Sequence, residues 1–276
     1  MRTDVWLQLA ENRLRQADVE SPRLEAQVLA SHILRVDRPW LIAHAEHDFP
    51  DLAGEALLQR RESHEPLAYI IGRREFYGRP FGVTSAVLIP RQETEHLVEW
   101  AIREAPQGAK LLDIGTGSGC IAISIALERP DLDVSALDIS PMALEVARQN
   151  AADLNARVEF IEADLAPTNR SFDILVSNPP YIGIEESLPP DLAHEPAQAL
   201  FAEDHGLALY RRLALLDIAP RIALEVGHQQ AETVSNLFIA QTWTPTGQIK
   251  DLSGIERVLS FAKELKTKKH LSDRLH

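Results

Sequence analysis

Apolar positions recur three and four residues apart from residue 4 to about residue 65: Trp6, Leu7, Leu9, Ala10 and Leu14, then Leu24, Val28, Leu29 and Ile33. That spacing stacks them on one helical face. Ser21-Pro22 and Asp37 stand where helices would start, so the pattern predicts a small all-helical domain over 1–66. After Pro66 the apolar runs shorten. Leu67-Ala68-Tyr69-Ile70-Ile71 and Phe81-Gly82-Val83-Thr84 flank the turn-rich Tyr77-Gly78-Arg79-Pro80, which predicts a β-hairpin linker over 67–90.

From residue 91 to about 265 helical and strand periods alternate. Helices are expected at 93–104, 119–128, 141–154, 206–217 and 228–239, and buried strands at 110–114, 133–138, 157–161, 172–177 and 221–226. Residues 242–261 read as two more strands, an antiparallel edge pair. Strands that alternate with helices form a parallel sheet covered on both faces, so the fold class is α/β, doubly wound and seven-stranded. Residues 266–276 are polar, with Lys266, Lys268, Lys269 and Arg274, and are expected to form a flexible, solvated tail.

Composition narrows the function. A net charge of −13 and a pI near 5.2 oppose general binding to phosphate backbones, so direct nucleic-acid binding is disfavoured. A single cysteine excludes a disulfide framework or a cysteine-based zinc cluster. The charged, amphipathic start lacks a signal-peptide core and no apolar run reaches membrane-span length, so a cytoplasmic protein without membrane contact is expected. A monomer is the favoured state. His44 and His47 lie a helical turn apart without further ligands nearby and read as surface residues, so no metal site is expected.

The chemistry-bearing residues fall at strand ends. Lys110-Leu111-Leu112-Asp113-Ile114 runs into Gly115-Thr116-Gly117-Ser118-Gly119 and then a helix. Glycines there let a ligand approach the backbone. The spacing is G-x-G-x-G after an acid, whereas the dinucleotide fingerprint is G-x-G-x-x-G and cradles a pyrophosphate. An acid at this strand end suits the cationic amino-acid portion of S-adenosylmethionine (SAM), which carries no phosphate, so Asp113 points toward SAM rather than NAD. At the next strand end Asp138 could accept from both ribose hydroxyls. After the third, Asp164 could accept from the adenine amino group while Leu165 packs on the ring. Cys120 reads as a packing residue, since methyl transfer to an amide needs no thiol.

The fourth strand ends in Asn178-Pro179-Pro180-Tyr181. Two prolines stiffen this loop and leave its carbonyls unpaired by neighbouring N–H groups. An amide nitrogen is a poor nucleophile because its lone pair is delocalised. Accepting its two hydrogens on the Asn178 side-chain oxygen and the Pro179 carbonyl would shift density onto nitrogen and aim it at a methyl donor. Tyr181 would pack on the flat acceptor group. This motif does not separate glutamine from adenine or guanine.

The sequence resembles the HemK/PrmC family of release factor glutamine N5-methyltransferases. The pieces that carry the likeness are Arg74-Glu75-Phe76-Tyr77-Gly78, Leu88-Ile89-Pro90-Arg91-Gln92-Glu93-Thr94-Glu95, the segment from Asp113 to Ile123, Asn178-Pro179-Pro180-Tyr181-Ile182, Glu195-Pro196-x-x-Ala199-Leu200, Glu225-Val226-Gly227 and Asp251-Leu252-Ser253-Gly254-Ile255-Glu256-Arg257-Val258. The resemblance implies a Rossmann-like SAM-dependent methyltransferase domain, with S-adenosylhomocysteine as the spent cofactor. It implies a class 1 peptide chain release factor as protein substrate, methylated on the glutamine of its Gly-Gly-Gln motif, with the helical domain helping to hold it. Carried over, Gly115, Thr116, Gly117, Ser118, Gly119, Asp138, Asp164, Leu165 and Asn178 would line the cofactor site. Asn178, Pro179, Pro180 and Tyr181, with Glu195 beside them, would hold the glutamine. The chain departs from the usual pattern at Gln92, at Ala193-His194 and over Ala202-Glu203-Asp204-His205. Other readings stay open here: methylation of a ribosomal-protein glutamine or of a nucleic-acid exocyclic amine, and a non-catalytic SAM-binding module.

Overall fold

The computed structural model describes residues 1–166 and 170–264, and the tail expected over 266–276 lies outside them. The chain divides into two compact units. One is built from Met1–Arg74, Val83–Ser85 and Ser187–Glu195, the other from Glu75–Gly82, Ala86–Glu186 and the chain from Pro196 onward.

The first unit contains helices α1 (Thr3–Gln16), α2 (Pro22–Leu34), α3 (Arg38–Ala43), α4 (Asp51–Glu62) and α5 (Leu67–Ile71). Their apolar faces meet in a core of Trp6, Leu14, Leu29, Leu41, Leu58 and Ile70, in which Trp6 stacks on Phe49 at 4.2 Å between ring centroids. Asp37 caps α3 by accepting from the Trp40 amide at 2.9 Å. The buried Arg61 guanidinium donates to Glu25 at 2.5 Å and to Asp191 at 2.9 Å, which ties the 187–195 segment into this unit.

Residues 67–71 are helical, not the strand expected from their apolar run. Pro66 supplies an extended residue before the helix, Gly72 ends it in the left-handed region with φ 74°, and Ala68, Tyr69 and Ile70 are buried in succession. A short, wholly apolar run serves a buried strand or a buried helix equally, and here the flanking Pro and Gly decide. The hairpin arms are therefore β1 (Arg73–Phe76) and β2 (Arg79–Gly82), joined through Tyr77 and Gly78 at φ 50° and 70°. Two successive positive φ values match the twist of a two-residue hairpin turn.

In the second unit follow α6 (Glu95–Glu104), β3 (Lys110–Ile114), α7 (Cys120–Glu128), β4 (Asp133–Asp138), α8 (Pro141–Asp153), β5 (Glu159–Glu162) and β6 (Ile174–Ser177). Then come β7 (Ile182–Gly183), α9 (Ala197–Leu200), β8 (Phe201–Ala202), α10 (Glu203–Gly206), α11 (Ala208–Ala214), β9 (Arg221–Glu225), α12 (Ala231–Ala240), β10 (Thr244–Lys250) and β11 (Glu256–Ala262). The seven-stranded sheet has the order β10-β11-β9-β6-β3-β4-β5. Strands β5, β4, β3, β6 and β9 run parallel, while β11 pairs antiparallel with both β9 and β10. β7 and β8, a short parallel pair, had no signal in the periodicity.

Alternation in the central strands sorts side chains onto two faces. Leu111, Ile174, Val176 and Ala223 pack with Leu97, Val98, Ile121 and Ala151 of α6, α7 and α8. Leu112, Ile114, Leu175 and Leu224 pack with Tyr210, Leu213, Val234 and Phe238 of α11 and α12. Strands covered on both faces must be apolar on both, which is why β3, β6 and β9 read as continuous apolar runs. Asp113 and Glu225 interrupt these runs, and by period two they fall on the same face as Leu111 and Ala223.

Candidate active site

β3 and β6 lie side by side in register, Ile114 opposite Ser177, and the Ser177 hydroxyl donates to the Ile114 carbonyl at 2.8 Å. The chain winds away from this pair in opposite directions, to β4 and β5 on one side and to β9 on the other. Ligands of open parallel sheets bind at such a switch point, outside the carboxyl ends of the strands. Gly115 follows β3 and Asn178 follows β6. Both line a cleft of about 750 Å³, counting its solvent-open mouth, together with Gly117, Asp138, Asp164, Leu165, Pro179 and Pro180.

The loop after β3 is held from two sides. Gly115, Gly117 and Gly119 have φ of 75°, 54° and 81°, the left-handed region open to glycine. The amides of Gly115 and Thr116 both donate to the Leu137 carbonyl at 2.9 Å. Asp138 accepts from the Gly117 amide on Oδ2 and from the Ser140 amide on Oδ1, each at 2.9 Å. Each oxygen keeps a second lone pair, so the same carboxylate can receive ligand hydroxyls.

Asp113, Thr116, Ser118 and Gly119 do not line the cleft. Asp113 is fully buried beneath the loop, where the Thr116 hydroxyl donates to its Oδ2 at 2.6 Å. Burial pushes its carboxyl up to about 7; the Thr116 hydrogen bond opposes this and the charge of Asp138 adds to it. Asp113 thus braces the loop from the α7 side. Cys120 is buried, which pushes its thiol up to about 12 and leaves it a neutral packing group.

Asp164 is exposed and pairs with Arg212 at 2.8 Å, while Leu165 lines the cleft in the left-handed region at φ 75°. A branched-chain residue held there is strained by roughly 1–2 kcal/mol, and such strain clusters at ligand clamps. The Asn178 Nδ2 donates to Thr94 Oγ1 at 3.1 Å. Tyr181 stands behind the prolines and not on the cleft wall. Its carbonyl accepts from Gln230 Nε2 at 2.8 Å. Burial pushes its phenol up to about 12, the charge of Glu225 adding and Arg91 and Arg257 opposing. Glu195 is buried within the segment that belongs to the helical unit and is not among the cleft-lining residues.

Leu88, Ile139, Gln198, Ala199 and Leu209, to which the sequence pattern gives no role, are among the other residues that line the cleft. Leu88 and Ala199 sit within two of the sequence pieces that carry the family likeness, so a signal existed for them. Gln198 and Leu209 come from segments with no strand-end signature.

A glycine loop after the first parallel strand, carboxylates after the next two and Asn-Pro-Pro-Tyr after the fourth, around one cleft, define a Rossmann-like methyltransferase of the SAM-dependent class. The fold is shared with a methyltransferase from Pyrococcus furiosus, at a TM-score of 0.52 and 18% identity over 67% of this chain and 89% of that one. Residues 5–72 match the family described as PrmC N-terminal domain, and residues 92–198 match the methyltransferase small domain. The chain is 41% identical to the release factor glutamine methyltransferase of Neisseria gonorrhoeae, across 96% of this chain and all of that one. It is 42% identical to the enzyme of the same name from Bordetella pertussis, across 88% of this chain and 95% of that one. The chain belongs to the release factor glutamine methyltransferase family.

Proposed function

We propose that this protein transfers a methyl group from SAM to the side-chain amide nitrogen of the glutamine in the Gly-Gly-Gln motif of a class 1 peptide chain release factor, and so modulates translation termination. The observation that carries the reading is the cleft itself, in which Asn178, Pro179 and Pro180 share a wall-to-wall space with Gly115, Gly117 and Asp138. The acceptor loop and the cofactor loop open onto one volume.

The residues suit SAM. Asp138 and Asp164 offer acceptors for hydroxyls and an amino group, Leu165 and Ile139 offer apolar surface for a purine, and the glycine loop presents bare backbone. SAM supplies an electrophilic methyl on a sulfonium. The protein's part is to present the acceptor. Asn178 Oδ1 and the Pro179 carbonyl accept the two amide hydrogens, which raises electron density on nitrogen and fixes its direction. Nitrogen gains the methyl and gives up one proton, with no covalent enzyme intermediate. Tyr181 supports this loop from behind.

The test is to mix the purified protein with isotopically labelled SAM and a class 1 release factor, beside the same factor with its Gly-Gly-Gln glutamine changed to alanine. Peptide mass spectrometry is expected to place the label on that glutamine and to find none in the control. Label elsewhere, or none despite measured SAM binding, would overturn the assignment.

A further inference from the structure

The asparagine amide that faces the acceptor has two orientations of nearly equal shape and opposite chemistry. Turned by 180°, Asn178 would present N–H groups to an acceptor nitrogen that itself carries N–H groups, and the proposed contact would be lost. Something in the protein must select one orientation, and the surroundings of Asn178 contain a device that can.

Asn178 and Glu225 follow neighbouring rungs of the sheet, since β6 and β9 are registered with Ser177 opposite Leu224. Thr94 reaches the same place from the turn before α6. Thr94 and Glu225 are each 2% exposed. Asn178 Nδ2 donates to Thr94 Oγ1 at 3.1 Å, and the Thr94 hydroxyl favours the ionised form of the buried Glu225 carboxyl, opposing the upward push of burial. A hydroxyl has one proton. If Thr94 gives it to Glu225, its oxygen can only accept from Asn178, and the amide must turn Nδ2 inward and Oδ1 away.

We propose that Thr94 and Glu225 are positioning residues that fix the Asn178 amide through this one-way relay, leaving Oδ1 as the acceptor for the substrate nitrogen. The inference rests on the role given to Asn178 above. It also accounts for a buried carboxylate that a purely structural reading does not need. A carboxylate removed from water is destabilising unless well paired. Yet Oε2 of Glu225 has no hydrogen-bond partner, and Arg257, whose charge favours the ionised carboxylate from a distance, spends its hydrogen bond on Asp251 at 2.8 Å. Tyr210 anchors the strand end by donating to the Glu225 carbonyl at 2.9 Å, so the side chain is held where Thr94 meets it.

Two substitutions of Thr94 separate relay from packing. Thr94→Val keeps the shape and loses the hydroxyl, whereas Thr94→Ser keeps the hydroxyl and loses the methyl. The relay predicts a 10- to 100-fold fall in kcat for Thr94→Val with the SAM Kd within about threefold of wild type, and near-normal kcat for Thr94→Ser. A packing role predicts the reverse order. Glu225→Leu is expected to fall as far as Thr94→Val, and the double variant no further, because both cut the same path. Equal losses for Val and Ser, full kcat in Thr94→Val, or multiplying losses in the double variant would overturn the relay while an active wild type left the methyl-transfer reading standing. A wild type that binds SAM and transfers nothing to glutamine would overturn both.

Discussion

Gly206 lies directly against the carbonyl of Tyr181: a Cβ built on Gly206 would stand 2.0 Å from that oxygen. Gly206 also has φ of 82° and follows Asp204 and His205 at 56° and 53°, so three successive residues occupy the left-handed region beneath the acceptor loop. The Gln230 side chain donates to the same carbonyl at 2.8 Å, and its Nε2 would stand 3.0 Å from that Cβ. Gly206→Ala is therefore expected to destabilise the protein by about 2 kcal/mol or more, from close contact and left-handed strain together. Urea titration checks the stability loss, and a variant as stable as wild type would show that the loop gives way easily.

The helical unit offers a contest between propensity and packing. Gly54 lies inside α4, where alanine would ordinarily be better by about 1 kcal/mol. A Cβ there would come within 2.5 Å of both the Phe49 ring and the Trp6 indole. Overpacking of a buried aromatic pair costs about 1–3 kcal/mol, which is the larger effect. Gly54→Ala is expected to lower the urea midpoint, and a raised midpoint would mean the aromatic pair relaxes freely.

Asp138 both stitches the glycine loop and faces the cleft, so its loss is expected to weaken cofactor binding more than a single hydrogen bond would. For Asp138→Ala the SAM Kd, read by titration calorimetry, is expected to rise tenfold or more. An unchanged Kd would remove Asp138 from the cofactor site.

Burial holds the carboxyls of Asp113 and Glu225 up at about 7. Each folded value lies above the roughly 4 of an unfolded chain. Such a group's contribution is fully present below the unfolded value and is lost as pH rises through the folded one. Stability of the ligand-free protein is expected to fall between about pH 4 and 7, by at most roughly 1.4 kcal/mol per pH unit for each group. Asp113→Asn is neutral throughout and should flatten part of that slope in melting curves. A slope equal to wild type in Asp113→Asn would contradict the assignment.

The sheet was legible because its central parallel strands β3 and β6 are apolar runs that end abruptly at chemistry-bearing loops, as Ile114 does at Gly115 and Ser177 at Asn178. The strand order was not, since nothing in a local pattern states that β6 lies beside β3. Asp113 illustrates the limit most clearly. Its place at a strand end suggested a ligand contact, whereas the alternation from Leu111 turns its side chain beneath α7. Residues 67–71 were ambiguous because a five-residue apolar run has no period to read. Thr94 sits within the recognised Leu88 to Glu95 stretch, but its contact with Asn178 spans 84 positions and exists only once the sheet is formed.

The most direct measurement of the central claim compares wild type with Asn178→Ala in two readings, SAM affinity by calorimetry and single-turnover transfer to release-factor glutamine. The account predicts a Kd within about threefold of wild type and a methyl-transfer rate reduced by 100-fold or more, as expected when an interaction made at the transition state is removed. Wild-type turnover in Asn178→Ala would contradict it.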